Sequence, residues 1–150
     1  MIKKIASIII LLSFSFISSQ NLKLETLEQL TKISFVSIDE YMTNVKGFSK
    51  IKEERDGKVK FYGKKENDDI NNIIYIKVIS NINSPSNALD ITTGKNINIT
   101  KLKNELIDNG YEYGGENYGM IIYKKNGNAF LIKEKFNDME ANQILFIFEK

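Results

Sequence analysis

The longest regular pattern of apolar and polar residues runs through residues 24–48. Apolar side chains recur there at steps of three and four, which places them on one stripe of an α-helix. Gly47 can adopt the left-handed conformation that ends a helix, and Phe48 can fold back on the last turn. The pattern predicts one long amphipathic helix that packs on a sheet. Its stripe consists of Leu27, Leu30, Ser34, Ile38, Tyr41, Met42 and Val45.

Short runs with alternating or β-branched residues follow this helix and predict strands. Asp56-Gly57 and Asn126-Gly127 lie between such runs and are typical of tight hairpin turns. Gly114-Gly115 is expected to form a turn that separates two strands. The predicted strands cover residues 48–54, 58–64, 73–80, 111–113, 118–125, 129–136 and 143–149.

A second, shorter helix is predicted after residue 98. Asn98 or Thr100 can cap its first turn, and Gly110 followed by Tyr111 repeats the stop seen at the end of the first helix. The apolar face of this helix consists of Ile99, Leu102 and Leu106.

The order of these elements predicts a duplicated unit of one helix and three strands. The halves cover approximately residues 22–80 and 98–150, and a long connection, residues 81–97, joins them. Together they form a single domain, residues 20–150. The fold class expected is α+β, with one antiparallel sheet of six or seven strands and two helices on one face.

Residues 1–19 have the layout of a signal peptide. Lys3 and Lys4 precede a short apolar stretch, and Ser19 lies before the expected cleavage point. An uncleaved anchor is the alternative, but the stretch is shorter than the ~20 residues that span a bilayer. We therefore expect a periplasmic or secreted protein with no stable membrane insertion after cleavage.

Charge and composition narrow the classes of partner. The full chain has a net charge of +2, and without Lys3 and Lys4 it has 19 basic and 19 acidic residues. A domain without net positive charge has no general attraction to nucleic acid, so no nucleic-acid partner is expected. The chain has no cysteine, which excludes a lipidated cysteine anchor and leaves stability to packing.

The residue types also exclude several kinds of chemistry. The chain has neither histidine nor cysteine, so the usual nucleophilic triads, histidine acid–base catalysis and ordinary zinc sites lack their residues. Glu66, Asp68 and Asp69 cluster without the spacing of a calcium loop and are interpreted as a solvated loop. We expect no catalytic residue, no metal and no cofactor.

Four tyrosines in the second half leave an alternative open, since exposed rings can stack on sugars. The alternative function is a cell-wall or glycan-acting hydrolase, or a glycan-binding domain, that uses surface tyrosines and carboxylates. The competing interpretation is that these rings are half-buried residues of the sheet. The four residues are Tyr111, Tyr113, Tyr118 and Tyr123.

Several short motifs in the first 50 residues resemble those of small exported hypothetical proteins of the Bacteroidota type. This resemblance implies location and fold, and it brings no catalytic residue with it. The motifs are Ser18-Ser19-Gln20, Leu27-Glu28-Gln29-Leu30, Asp39-Glu40-Tyr41-Met42 and Lys46-Gly47-Phe48.

Strand alternation assigns side chains to the two faces of the predicted sheet. The helix side is expected to receive Val59, Phe61, Ile74, Ile76, Val78, Ile144, Phe146 and Phe148. The opposite side is then expected to carry Lys60, Tyr62, Tyr75, Lys77, Leu145 and Ile147, together with Ile73 and Ile79.

That opposite side is too apolar for contact with water alone, unless the connection from residue 81 folds over it. The sequence therefore predicts an exported, non-catalytic interaction module. Its partner is another protein or its own copy, with a glycan as the alternative.

Overall fold

The computed structural model describes residues 22–80 and 85–148. The signal peptide predicted for residues 1–19 and part of the predicted connection, residues 81–84, lie outside the described residues. The strands are β1 Ser49–Glu54, β2 Val59–Lys65, β3 Ile73–Ile79, β4 Ala88–Thr93, β5 Glu112–Asn117, β6 Met120–Lys125, β7 Asn128–Lys133 and β8 Asn142–Phe148. They form one antiparallel sheet in the order β1-β2-β3-β4-β8-β7-β6-β5.

The helical segments contribute to a single hydrophobic core with one face of this sheet. Leu27 and Leu30 from the first helix and Leu102 from the last are fully buried in that core. The predicted class, α+β with one antiparallel sheet, is confirmed, whereas the predicted six or seven strands are wrong, since the sheet has eight. The prediction of two helices is also wrong, since the described residues form three. The segments are α1 Leu24–Lys32, α2 Ile38–Glu40, which continues as a π-helical turn Tyr41–Val45, α3 Ile99–Asp108, and two 3-10 turns, Phe35–Ser37 and Ile70–Asn72.

The strand that the sequence prediction missed is β4, at the centre of the sheet. It lies within residues 81–97, which were expected to form an irregular connection. Leu89 and Ile91 point into the core and are buried, whereas Asp90 and Thr92 lie on the opposite face and are only partly covered. The strand therefore has the ordinary alternation, although it is short and lies among residues typical of loops.

The predicted long helix is broken, because residues 33 and 34 have extended backbone between α1 and the next turn. Asn87 stabilises the break: its side-chain amide donates to the carbonyl oxygens of Leu30 and Ile33, both at 2.9 Å. Its backbone N–H donates to the carbonyl of Thr31, also at 2.9 Å. Carbonyls at the end of a helix need such partners when buried, and a residue 54 positions away supplies them.

Both predicted helix stops are present. Gly47 has φ +67° and Gly110 has φ +81°, as the left-handed stop requires. The N–H of Phe48 then donates to the carbonyl of Met42 at 2.8 Å, and that of Tyr111 donates to Leu106 at 3.0 Å. Phe48 and Tyr111 are both buried, and each lies immediately before the first strand of its half.

Turns and bulges shape the strands at the two edges of the sheet. Asp56-Gly57 and Asn126-Gly127 have positive φ at both residues, as predicted for hairpin turns. Gly114-Gly115 does not end a strand, because β5 runs through it with a register shift. The other edge strand, β1, has a shift between Lys50 and Lys52. Both edges are therefore bulged.

Candidate functional site: the open face of the sheet

The face of the sheet away from the helices is the candidate site, and we call it the open face. Four of the six predicted partner-binding residues lie on it: Tyr75 and Lys77 on β3, and Leu145 and Ile147 on β8. Their neighbours along each strand, such as Ile76 and Phe146, are buried in the core. The prediction for these two strands therefore agrees with the observed alternation.

The other two predicted residues, Lys60 and Tyr62, lie on the helix side, so the prediction for β2 is wrong. Tyr62 pairs with the inward-facing Ile76 and is fully buried, and Lys60 is only 6% exposed. Phe61 pairs with Lys77 and lies on the open face instead. The prediction placed Val59 and Phe61 on the helix side because they are apolar, and this assigned the two faces of β2 the wrong way round. Lys60 and Tyr62 lie on the helix side instead, because their polar tips have hydrogen-bond partners in the helical segments.

Asp39 is the common partner of these two side chains. Its carboxylate accepts from the Tyr62 hydroxyl at 2.5 Å and from the ammonium groups of Lys60 and Lys50, each at 3.1 Å. Lys60 also donates to the carbonyl of Phe35 at 3.0 Å. The buried ammonium therefore has the hydrogen-bond partners that a buried charge requires. Through them, Lys60 connects the 3-10 turn and α2 to the sheet.

The protonation states in this group are fixed by the same contacts. Burial raises the pKa of Asp39, but hydrogen bonds from Tyr62, Lys50 and Lys60 outweigh burial and hold the pKa below its ordinary value. Burial, followed by the hydrogen bond to Asp39, raises the pKa of the Tyr62 hydroxyl far above its ordinary value. A hydroxyl held protonated in this way is a poor general base. The contacts of Asp39, Lys60 and Tyr62 connect the helical segments to the sheet, and we call these three residues the polar tie.

The open face itself combines rings, aliphatic side chains and paired charges. The ammonium of Lys52 lies 4.5 Å from the ring centre of Phe61, and that of Lys77 lies 5.8 Å from it. Lys77 also lies 3.9 Å from the carboxylate of Asp90, which accepts from Gln143 at 3.3 Å. The charges near the middle of the face are therefore already matched within the chain.

Several of those apolar side chains are open to solvent. Tyr75 is 41% exposed and Ile147 is 40% exposed, although both lie within the sheet and away from its edge strands. Strand β4, part of the connection that was expected to fold over the face, lies within the sheet and adds Ala88, Asp90 and Thr92 to the face. This part of the connection extends the face without covering it.

A groove of about 250 Å³ lies at one end of the face, between the segment before β3 and the segment before β8. Its floor includes Tyr75 and Thr92, and Met139 lies on its rim. Asp69 holds one wall by accepting from the N–H of Asn71 at 2.9 Å. Asn137 holds the other by accepting from two backbone N–H groups, each at 3.1 Å. The groove has the size for one large side chain.

The tyrosines and carboxylates considered for sugars or cations are dispersed. Tyr111 and Tyr123 are buried in the core, whereas Tyr113 and Tyr118 are exposed. Tyr111 donates to the carboxylate of Glu28 at 3.0 Å, and burial, followed by this bond, raises the pKa of its hydroxyl. In residues 22–80 and 85–148, no three acidic side chains lie together in a way that could hold a metal ion.

Comparisons with known proteins do not assign a role to this face. None of the helices in the described part of the chain has the length and apolar character of a membrane span. The sequence matches no protein-family model, and neither the curated proteins nor the solved structures include a significant match.

Proposed function

We propose that the protein is an exported, non-catalytic interaction module that binds another protein or its own copy through the open face. The observation that carries this proposal is the exposure of Tyr75 and Ile147 inside a sheet face where water-facing positions are normally polar. Burying these side chains against a partner removes apolar area from water, which favours association at roughly 25 cal/mol per Å².

The dimensions of the face also support a protein partner. Eight strands at ~4.8 Å spacing, each about 20 Å long, give a face of roughly 760 Å². A stable protein–protein interface covers about 800 Å² on each partner. A partner that covered most of the open face would therefore bury an area of ordinary size.

A non-catalytic role is supported by the residues around the face. The chain has no histidine or cysteine, and the titratable group around Asp39 is on the helix side, where Lys60 and Tyr62 are enclosed. The second candidate is glycan binding at the β5 edge, which the exposure of Tyr113 and Tyr118 favours. Tyr113→Ala and Tyr118→Ala should abolish retention on cell-wall glycan if this candidate is correct.

Export is part of the same proposal and rests on the signal layout of residues 1–19. Cleavage near Ser19 would release a chain without Lys3 and Lys4. The mass of the exported protein tests this directly. A mass that still includes both lysines would favour the uncleaved anchor.

We also propose that the chain arose by duplication of one unit. This unit consists of a helical segment and four strands, where the sequence predicted a helix and three strands. The palindromic strand order and the two glycine stops support duplication. In each half, a lysine of the second strand also donates to the carbonyl that ends the helical segment: Lys64 to Lys46 at 3.2 Å and Lys125 to Asn109 at 2.6 Å. These three shared features favour a common origin over chance.

The role of the open face can be tested with Tyr75→Asp and Ile147→Asp, alone and together. A charge at either position must be desolvated when a partner covers it, so binding should weaken strongly while the fold is retained. The matched control is Val36→Asp, since Val36 is 85% exposed and lies in a helical turn away from the face. Self-association and cross-linking to envelope proteins are the measurements. Unchanged binding by a folded double variant would contradict the proposal.

A further inference from the structure

The dipeptide Asn-Gly occurs twice in the chain, as Asn109-Gly110 and as Asn126-Gly127. In this dipeptide the backbone nitrogen of the glycine can attack the side-chain amide carbon of the asparagine, because glycine has no β-carbon that hinders the approach. The attack releases ammonia and closes a succinimide ring. Since both dipeptides have the same residues, a difference in their reactivity must come from the fold.

The first dipeptide, at the end of α3, is held by hydrogen bonds at the groups that ring closure would move. The side-chain amide of Asn109 donates to the carbonyl of Glu105 at 2.7 Å, and its backbone N–H donates to the same carbonyl at 3.0 Å. The nitrogen of Gly110, which would be the nucleophile, donates to the carbonyl of Ile107 at 2.9 Å. Lys125 also donates to the carbonyl of Asn109 at 2.6 Å. Ring closure here requires the end of α3 to open.

The second dipeptide lacks these restraints. It forms the turn between β6 and β7, across which Lys125 pairs with Asn128, and both turn residues are exposed. Among residues 22–80 and 85–148, no group forms a hydrogen bond with the side chain of Asn126, and the N–H of Gly127 has no acceptor. Ring closure then requires a change only in the backbone angles of the turn, where φ is +51° and +76°. A short exposed turn opens more readily than a hydrogen-bonded helix end.

We propose that Asn126 is a site of spontaneous deamidation and that the fold protects Asn109 from the same reaction. The nitrogen of Gly127 forms a bond to Cγ of Asn126, the bond between Cγ and Nδ2 breaks, and Nδ2 leaves as ammonia with the proton of the attacking nitrogen. Water is the only co-reactant and hydrolyses the ring. Hydrolysis at the side-chain carbonyl gives aspartate, and hydrolysis at the backbone carbonyl gives isoaspartate. This modification is independent of the proposed function.

The isoaspartate product would disturb the β6–β7 hairpin more than aspartate. Its main chain passes through the former side chain, which adds one atom to a turn whose length sets the pairing of Lys125 with Asn128. Ala129 and Phe130 follow this pair directly and are buried. The aged protein should therefore unfold at a lower temperature than Asn126→Asp, which has the new charge but an ordinary main chain.

Incubation of the purified folded protein, followed by digestion and mass spectrometry, tests the proposal. Cleavage after lysine separates the two dipeptides, because Lys124 and Lys125 lie between them. The peptide with Asn126 should become heavier by about one dalton, since a carboxyl group replaces an amide. The peptide with Asn109 should convert more than about tenfold more slowly, because several hydrogen bonds must break first. In guanidinium chloride, which removes the fold, the two rates should agree within about threefold.

Asn126→Gly is the matched control, because it removes the reactive amide and a Gly-Gly turn accepts positive φ at both residues. Its peptide should show no gain in mass, and thermal unfolding confirms that the variant is folded. Equal rates for Asn109 and Asn126 in the folded protein would overturn the protection by hydrogen bonds. An Asn126 that converts in denaturant and stays unchanged in the folded protein would overturn the reactive site. An aged protein that unfolds at the same temperature as Asn126→Asp would contradict the effect assigned to isoaspartate.

Discussion

The two halves of the sheet have the same layout of strands but fill the helix side differently. In the second half, the inward residues of the second and third strands are apolar or aromatic, including Ile121, Tyr123 and Phe130. In the first half, the positions that match Ile121 and Tyr123 are Lys60 and Tyr62, and both donate to Asp39.

The same arrangement of strands therefore accepts a buried charge where a helical segment supplies its counter-ion. The break after α1 starts a new helical segment, and Asp39 lies in it beside the sheet. In the second half α3 is continuous, and Phe130 packs between the rings of Tyr111 and Phe146, with centres 5.4 and 4.8 Å away. The first half is therefore stabilised by a directional polar tie and the second by ring packing.

The largest expected effect breaks the aromatic half. Phe130→Ala should lower the free energy of unfolding by about 3–5 kcal/mol, because it removes a fully buried ring and leaves a cavity. Urea denaturation measures this loss. The matched change in the first half is Ile76→Ala, which removes a smaller side chain and should cost less. An equal loss for the two variants would contradict the assignment of the ring cluster as the main support of the second half.

Removal of the counter-ion breaks the polar half. Asp39→Ala should cost about 1–3 kcal/mol, since it leaves the buried Lys60 ammonium and the Tyr62 hydroxyl without their shared acceptor. The double variant D39A/K60M should recover part of this loss, because the unpaired buried charge is then gone. If the double variant is less stable than Asp39→Ala, the tie is not the reason for the loss.

The break in the first helical region should depend on Asn87. Asn87→Ala leaves the carbonyls of Leu30 and Ile33 without their side-chain donor and should cost about 1–2 kcal/mol. Hydrogen exchange should then increase in residues 30–45 and remain unchanged in α3. Asn98→Ala, which removes the cap of α3, is the control and should produce the reverse pattern.

Acid should distinguish the halves as well. The pKa of Asp39 is lower in the folded state than in the unfolded state, so its contribution to stability is present above the unfolded pKa and is lost as pH falls through the folded pKa. Unfolding free energies measured between about pH 7 and pH 3 should therefore fall less steeply for Asp39→Asn than for the wild type. An unchanged slope would show that Asp39 does not contribute to the acid dependence.

The smallest effects should be equal in the two halves, because they concern the feature that the halves share. Gly47→Ala and Gly110→Ala each place a β-carbon on a left-handed backbone and should each cost about 1 kcal/mol. No backbone atom crowds either site, so backbone strain alone sets the cost. Thermal unfolding of the two variants measures the difference, and losses that differ by more than about 1 kcal/mol would contradict the equivalence of the two stops.

The features that followed from sequence were those set by local chemistry. Both glycine stops, the turn at Asn126-Gly127 and the alternation of β3 could be predicted, since neighbours along the chain determine them. The break after α1 could not, because its stabilising donor, Asn87, is far away in sequence. The turn between β5 and β6 could not be predicted either. It consists of Tyr118-Gly119 and corresponds to Asp56-Gly57 of the first half, but a tyrosine, here with φ +49°, is not typical of a tight turn.

The residues of the open face could be predicted only in part, because lysine and tyrosine side chains can be either buried or exposed. Tyr75 and Ile147 were assigned correctly because the residues that alternate with them, such as Ile76 and Phe146, form the more apolar set of each strand. In β2 both faces contain rings, and the polar tips of Lys60 and Tyr62 favoured the outside. A buried tyrosine or lysine can instead reach a partner with its tip, and only the position of Asp39 determines which side that partner is on.

The strand order has a consequence for the way the chain acquires its structure. Every pairing but one joins strands that follow each other along the chain, so each half is built from local hairpins. The exception is β4 with β8, where Thr93 and Asn142 meet across 49 positions. Contacts distant in sequence are slow to form because the intervening loop must first close. We expect the halves to form early and the β4–β8 seam to set the overall rate of folding.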